Sequence, residues 1–108
     1  MNESRKPTGF ENAVYDAVRL IPAGKVASYG RIAAQISRGT ARAVGTALAK
    51  NPYAPEVPCH RVVRADGALG GFHGATEGPR MIEKSDMLRR EGVPFGVAGK
   101  VDPSAFMD

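Results

Sequence analysis

The 108-residue chain has one cysteine, Cys59, and so cannot close an internal disulfide. It has no apolar run approaching membrane-spanning length, and its first residues, Met1-Asn2-Glu3-Ser4-Arg5-Lys6, lack the apolar stretch of a signal peptide. The expectation is a reduced, cytoplasmic setting with no membrane partner. Phosphate-binding glycine motifs of the Walker or Rossmann form are missing, since Gly70-Gly71 is not followed by Lys-Ser/Thr. One cysteine with two histidines, His60 and His73, is too few ligands at no recognised spacing for structural zinc, so no metal is expected. Cys59 also lacks a second cysteine to resolve it, which argues against dithiol redox chemistry. There are no repeats and no internal linker.

What is present describes one modest globular domain, 43% hydrophobic and 24% charged. The net charge of +4 and pI near 9.6 suit a polyanionic partner. Residues 1–7 read as a loose arm, 8–95 as the domain and 96–108 as a tail that packs loosely or extends.

Thr8-Gly9-Phe10-Glu11 reads as a capping box opening a helix with Phe10, Val14, Val18 and Ile21 at helical spacing. Pro22 and Gly24 end it, and Lys25 to Ser28 is an extended link. A second helix fits Tyr29 to Ile36, Ser37-Arg38-Gly39 is a turn, and Thr40 caps a third helix from Ala41 to Lys50. Two short helices about a glycine-containing turn make a helix-turn-helix pattern. In the third helix Ala41, Val44, Ala47 and Leu48 are expected to face inward. The other side, Arg42, Gly45, Thr46 and Ala49, puts one long cation on a small-residue surface. Gly45 there costs about 1 kcal/mol relative to Ala. A closely approaching partner or another helix of the same protein would each account for it. Asn51-Pro52 stops this helix. Val62-Val63-Arg64 and Ala68-Leu69-Gly70 flank Ala65-Asp66-Gly67 as a β-hairpin. Pro79 and Gly92 bracket a last helix ending near Glu91.

The chemistry gathers at Pro58-Cys59-His60-Arg61-Val62-Val63. A thiolate is a strong nucleophile and an adjacent base activates it. Pro58 restricts the chain before the sulfur, and two β-branched residues follow like the start of a strand. Consecutive side chains of an extended segment point apart, so His60 reaches the sulfur more readily through water than directly. A carboxylate should hold the other ring nitrogen. Glu91, on the Met87–Leu88 face at a helix C-terminus, is the best placed; a salt bridge to Arg61 or another arginine is the competing role for it.

These pieces together resemble the O6-alkylguanine-DNA alkyltransferases. Besides Pro58 to Val63, the resemblance runs through Ile21-Pro22-Ala23-Gly24-Lys25-Val26, Ser28-Tyr29-Gly30-Arg31-Ile32-Ala33, Ala41-Arg42-Ala43-Val44-Gly45 and Asn51-Pro52. It continues in order through Gly70-Gly71-Phe72 and Leu88-Arg89-Arg90-Glu91-Gly92. It implies a mainly α fold with a small β-hairpin, winged helix-turn-helix-like, corresponding to the family's catalytic DNA-binding domain without its usual N-terminal domain. It also implies a monomer that needs no cofactor and acts on double-stranded DNA containing O6-alkylguanine from the minor groove, with the damaged base flipped out of the stack.

Family roles then fall on matching positions. Arg42 fills the vacated place in the stack, and Tyr29 presses on the neighbouring phosphate and hydrogen-bonds the guanine. Ala41, Gly45 and Thr46 complete the DNA-facing set. Asn51 braces the turn, Cys59 attacks the alkyl carbon, and His60, through water and supported by Glu91, takes the thiol proton. The Val62 carbonyl accepts from the base amino group, and Phe72 and His73 line the base pocket. The S-alkylcysteine product has no good leaving group, so the protein acts once. Phe72 where Tyr is usual, His73 where a small residue is usual, and a longer stretch from Gly74 to Glu83 are departures that bear on the pocket.

Three other functions fit parts of the pattern. An alkyltransferase-like protein binds the lesion without transfer, but such proteins usually replace the nucleophile. A helix-turn-helix regulator should carry several base-reading side chains on its recognition helix, where this one has Arg42 alone. A Cys-His hydrolase would need an oxyanion pocket that nothing beyond the glycine-rich loop suggests.

Overall fold

The computed structural model describes residues 6–107; most of the expected N-terminal arm, residues 1–5, lies outside them. Helix α1 (Gly9–Arg19) opens on the expected capping box. The Glu11 amide donates to Thr8 Oγ1 at 3.1 Å, and the Thr8 amide donates to Glu11 Oε1 at 3.0 Å. Its buried face carries Val14, Tyr15, Ala17 and Val18. The Tyr15 hydroxyl donates to the Ala47 carbonyl at 2.8 Å, which ties α1 to the third helix.

Strand β1 (Ala27–Ser28) leads directly into α2 (Tyr29–Ile36), where Ser28 accepts from the Arg31 amide at 3.0 Å as N-cap. The turn that follows reverses the chain through Gly39 at φ 78°. A Cβ there would lie 2.5 Å from the Phe10 ring, so glycine is required on two counts. Thr40 then caps α3 (Ala41–Ala49), accepting from the Ala43 amide. Helices α1, α2 and α3 pack on one another around Val18, Ile32, Val44 and Leu48, so α2–α3 is a helix-turn-helix on a three-helix base. The last helix, α4 (Pro79–Arg90), has Pro79 in its first turn and ends at Glu91 and Gly92.

The fold is mainly α with one small sheet, but the sheet is not the expected hairpin. Strand β2 (Val62–Val63) pairs in parallel with β1, Ala27 opposite Val62 and Ser28 opposite Val63. The Asp66-Gly67 turn does form, with the Arg64 amide bonded to the Ala68 carbonyl at 2.9 Å. Beyond it the second arm diverges. The carbonyls of Leu69 and Gly71 are taken by the Lys84 ammonium, and Gly67 accepts instead from the Val101 amide. No ladder continues past the Arg64–Ala68 bond.

The tail is the second correction. Val101 and Ala105 are buried in a second apolar cluster with Val26, Val63, Leu88 and Val93. Backbone bonds join Val26 to Ala105 and Met107 at 3.0 and 2.9 Å, and Arg31 donates to the Met107 carbonyl. The path is two single 3-10 turns, Val97–Gly99 and Pro103–Ala105. Its apolar residues therefore follow neither the helical nor the strand period, which is why the sequence reads as structureless.

Candidate active site

Cys59, His60 and Arg61 form a single 3-10 turn between Pro58 and β2, as the rigid turn at the cysteine implied, so the side-chain alternation of an extended segment does not govern His60. The end of α3 braces that turn. Asn51 donates through Nδ2 to the Val57 carbonyl at 3.0 Å, and its Oδ1 accepts from the Tyr53 amide at 2.9 Å. The Cys59 amide bonds the same Val57 carbonyl at 2.8 Å. Cys59 is buried, and burial pushes its thiol pKa up. A hydrogen bond from Asn51 and the charge of Lys84 pull the other way without cancelling that rise.

His60 is buried beside it, and its Nε2 lies 2.9 Å from Glu91 Oε2. An ionised carboxylate only accepts, so Nε2 carries the hydrogen and Nδ1 is left as the basic nitrogen. Burial lowers the His60 pKa despite the opposing pull of Glu91, which favours the neutral imidazole that a base requires. Glu91 holds both roles weighed for it. Arg61 grips the same carboxylate through Nε at 3.0 Å and Nη2 at 2.7 Å, and its Nη1 donates to the Ile21 carbonyl. Burial pushes the Glu91 carboxyl up, but the Arg61 and His60 donors outweigh it and the net displacement is downward. No hydrogen bond joins the Cys59 sulfur to the His60 ring among the described residues, so a proton passing between them needs an intermediary.

Cys59 lines an open cavity of about 1310 Å³. On one side stand Tyr29 and the small-residue face of α3, namely Ala41, Arg42, Gly45 and Thr46; on the other are Phe72 and His73. Ala41, expected to point inward, is exposed at this edge because it is the first residue of the helix. The face at Gly45 is open: a Cβ there would meet only the Tyr29 ring, at 3.7 Å. Among the described residues, only that ring, at the start of α2, comes within 4 Å of it. Tyr29 leans across to Gly71, its hydroxyl 3.5 Å from that carbonyl, and burial raises its pKa. The Phe72 and His73 rings meet tilted, with centroids 4.2 Å apart, His73 is at φ 51°, and Phe72 and Ala75 close a tight turn. The stretch expected to be a loop from Gly74 to Glu83 is shorter than that, because α4 has begun by Pro79.

Four expected residues lie outside the cavity lining. His60, Glu91 and Asn51 stand behind the turn, and the Val62 side chain is fully buried, with only its backbone available. One residue escaped the sequence reading. Lys84 is buried to 0% exposure and donates to the carbonyls of Val62, Leu69 and Gly71 at 2.8, 2.6 and 2.9 Å. The signal was its place in the Met81–Lys84–Leu88 spacing, the apolar stripe of α4. Lysine's usual exposure hides such a position.

A helix-turn-helix that presents small residues beside a buried cysteine, with a His60–Glu91 pair behind its turn, defines the class: a DNA-binding-type domain with a lone thiol on its cavity wall. Residues 9–93 match the family model described as 6-O-methylguanine DNA methyltransferase, DNA binding domain, and the chain belongs to that family. The methylated-DNA–protein-cysteine methyltransferase of Salmonella typhimurium is 45% identical over 86 residues, 79% of this chain and 47% of that protein. The chain thus spans about half the length of the curated relatives it matches. Among solved structures, Mycobacterium tuberculosis OGT in complex with DNA superposes with a TM-score of 0.72 at 43% identity, covering 81% of this chain and 51% of that one. Schizosaccharomyces pombe Atl1, bound to damaged DNA containing O6-carboxymethylguanine, superposes with a TM-score of 0.78 at 30% identity. It covers 95% of this chain and 98% of its own.

Proposed function

We propose that this protein repairs O6-alkylguanine in double-stranded DNA by transferring the alkyl group to Cys59, once and irreversibly. The observation that carries the reading is a buried thiol on the wall of one cavity, with the His60–Glu91 pair behind it and an open small-residue helix face as the cavity's other wall. That face lets the minor-groove backbone approach closely, and the net charge of +4 favours the phosphates. The flipped base enters between Tyr29 and Phe72–His73 while Arg42 takes its place in the stack. Ala41, Gly45 and Thr46 lie along the DNA.

The sulfur electron pair forms the S–C bond as the C–O6 pair returns to the guanine oxygen. The thiol proton leaves through water to His60 Nδ1, where Glu91 holds the ring, and the guanine regains a proton as it returns to its keto form. Asn51 keeps the turn in place, and the Val62 carbonyl reads the base amino group. The damaged DNA supplies the alkyl group, so no cofactor enters, and a reduced cytoplasm suits the thiol.

A second reading, binding of the lesion without transfer, has one observation in its favour: Atl1 superposes over nearly its whole length. Cys59 and its His60–Glu91 relay speak for transfer. Incubation with O6-methylguanine duplex, followed by mass spectrometry of the Cys59 peptide, separates the two. S-methylcysteine at 59 supports transfer; tight binding with Cys59 unmodified replaces it with the second reading.

A further inference from the structure

Among the described residues, the lining of the cavity at Cys59 includes three long cations and no carboxylate. Arg42 comes from α3. Arg64 comes from the end of β2, and Lys100 comes from the C-terminal tail, beyond the residues 9–93 that match the family model. Neither takes part in the proton relay or in filling the stack.

The tail is fixed at this edge. It reverses between Phe95 and Val101, which bridge each other, and the Gly96 amide donates to the Lys100 carbonyl at 2.7 Å. Ala98 at φ 60° and Gly99 at φ 70° make the reversal. Val101 is buried, and its amide donates to the Gly67 carbonyl at 2.9 Å. Gly67 is at φ 91°, and a Cβ there would stand 2.7 Å from the Val101 carbonyl oxygen, so glycine is what lets the tail close on the turn.

That contact leaves Lys100 and Arg64 exposed at one edge, where both act on the same carboxylate, Asp66. Asp66 does not hold Lys100 tightly. Its Oδ2 is 3.6 Å from the ammonium with both side chains about half exposed, and its Oδ1 already accepts from the Ala68 amide. Arg64 makes no ion pair among the described residues, and its charge reaches the Tyr29 phenol. An anion at this edge therefore meets two cations available to it.

We propose that Arg64 and Lys100 form a second phosphate-binding edge, on which the tail holds the DNA backbone beside the cavity with elements other than α3. The inference rests on the reading of that cavity as the site that takes a base from DNA. A duplex laid along α3 continues past the cavity mouth, with one phosphate for about every 1.7 Å of its axis. The two cations meet that continuation without reading sequence, because phosphates are alike at every step.

The test is the salt dependence of binding to a labelled undamaged duplex, read by fluorescence anisotropy. Each phosphate contact adds about 0.9 to the slope of log K against log salt. Lys100→Met is expected to lower the slope by about 0.9, and Lys100→Met combined with Arg64→Met by about 1.8. For one contact, the gap in affinity from wild type narrows about threefold between roughly 50 and 200 mM salt. Lys25→Met removes an equal charge off the cavity wall and should leave the slope unchanged. An unmoved slope in Lys100→Met, a double variant no lower than the single one, or an equal loss in Lys25→Met overturns the proposal. If Lys100→Met loses its helical circular dichroism, reductive methylation of the wild-type lysines is followed by mass spectrometry with and without the duplex. Protection of Lys100 and not of Lys25 supports the contact; any other pattern overturns it. S-methylcysteine at Cys59 with the slope unmoved removes this edge alone, whereas no duplex binding and no S-methylcysteine removes the repair reading with it.

Discussion

Replacing Gly45 by alanine separates what α3 does for the fold from what it does for a partner. In the interior of a helix, Gly→Ala gains about 0.8–1 kcal/mol from backbone entropy alone. Nothing in the fold opposes that gain, because the added Cβ would meet Tyr29 Cε1 and Cδ1 at 3.7 and 3.8 Å, ordinary van der Waals contact. Gly45→Ala is therefore expected to raise Tm by about 4–8 °C, the response of a domain near this size to about 1 kcal/mol. On the partner's side, a methyl group on a closely packed face is an overpacking change of about 1–3 kcal/mol, which weakens DNA binding about fivefold or more. Thermal unfolding by circular dichroism gives the first quantity. Fluorescence anisotropy with a labelled duplex at fixed salt gives the second. A fall in Tm would show that the fold itself needs this glycine. A raised Tm with unchanged affinity would refute close approach of DNA to this face.

Gly70→Ala should behave in the opposite way. At φ 72° an alanine costs about 1–2 kcal/mol in backbone strain, and its Cβ would lie 2.7 Å from the Tyr29 hydroxyl. A drop in Tm together with slowed transfer is expected, and a wild-type Tm would contradict the crowding. Glu91→Gln should cost about 1–3 kcal/mol at neutral pH, because Arg61 and His60 lose a charged acceptor. Since the folded-state pKa of Glu91 lies below its ordinary value, its contribution is present above the unfolded carboxylate's pKa and is lost as pH falls through the folded one. The stability gap between wild type and variant, measured by urea unfolding, should thus shrink below about pH 4. A gap that stays constant into acid would exclude the linkage.

The local elements were legible wherever a short-range rule decides them. Thr8 with Glu11 and Thr40 before α3 are capping signals whose partners lie three residues on, and Pro79 marks the first turn of α4 through its fixed φ. The Cys59–His60–Glu91 association was legible in part, because a base beside a thiol needs a carboxylate and few were placed to serve. That Arg61 shares the carboxylate is a matter of packing, and it needed coordinates. The hairpin was misread for a related reason: Asp66-Gly67 specifies the turn, but a turn does not choose which strand β2 joins. Ala41 was misplaced because a helical wheel does not register that a first-turn residue can lie beyond its packing partner.

The sequence alone determined the order of helices, the lone cysteine with its neighbouring histidine, and the family, because these are written in adjacent residues or in fixed spacing. Tertiary structure alone decided the parallel pairing of β1 with β2, the burial of the tail against Val26 and Leu88, and the place of Lys84. Each of those joins groups far apart in the chain through carbonyls and apolar surface that many sequences share. The buried Lys84 ammonium is held by three converging oxygens, and that convergence exists only once α4, β2 and the Leu69–Gly71 loop have come together.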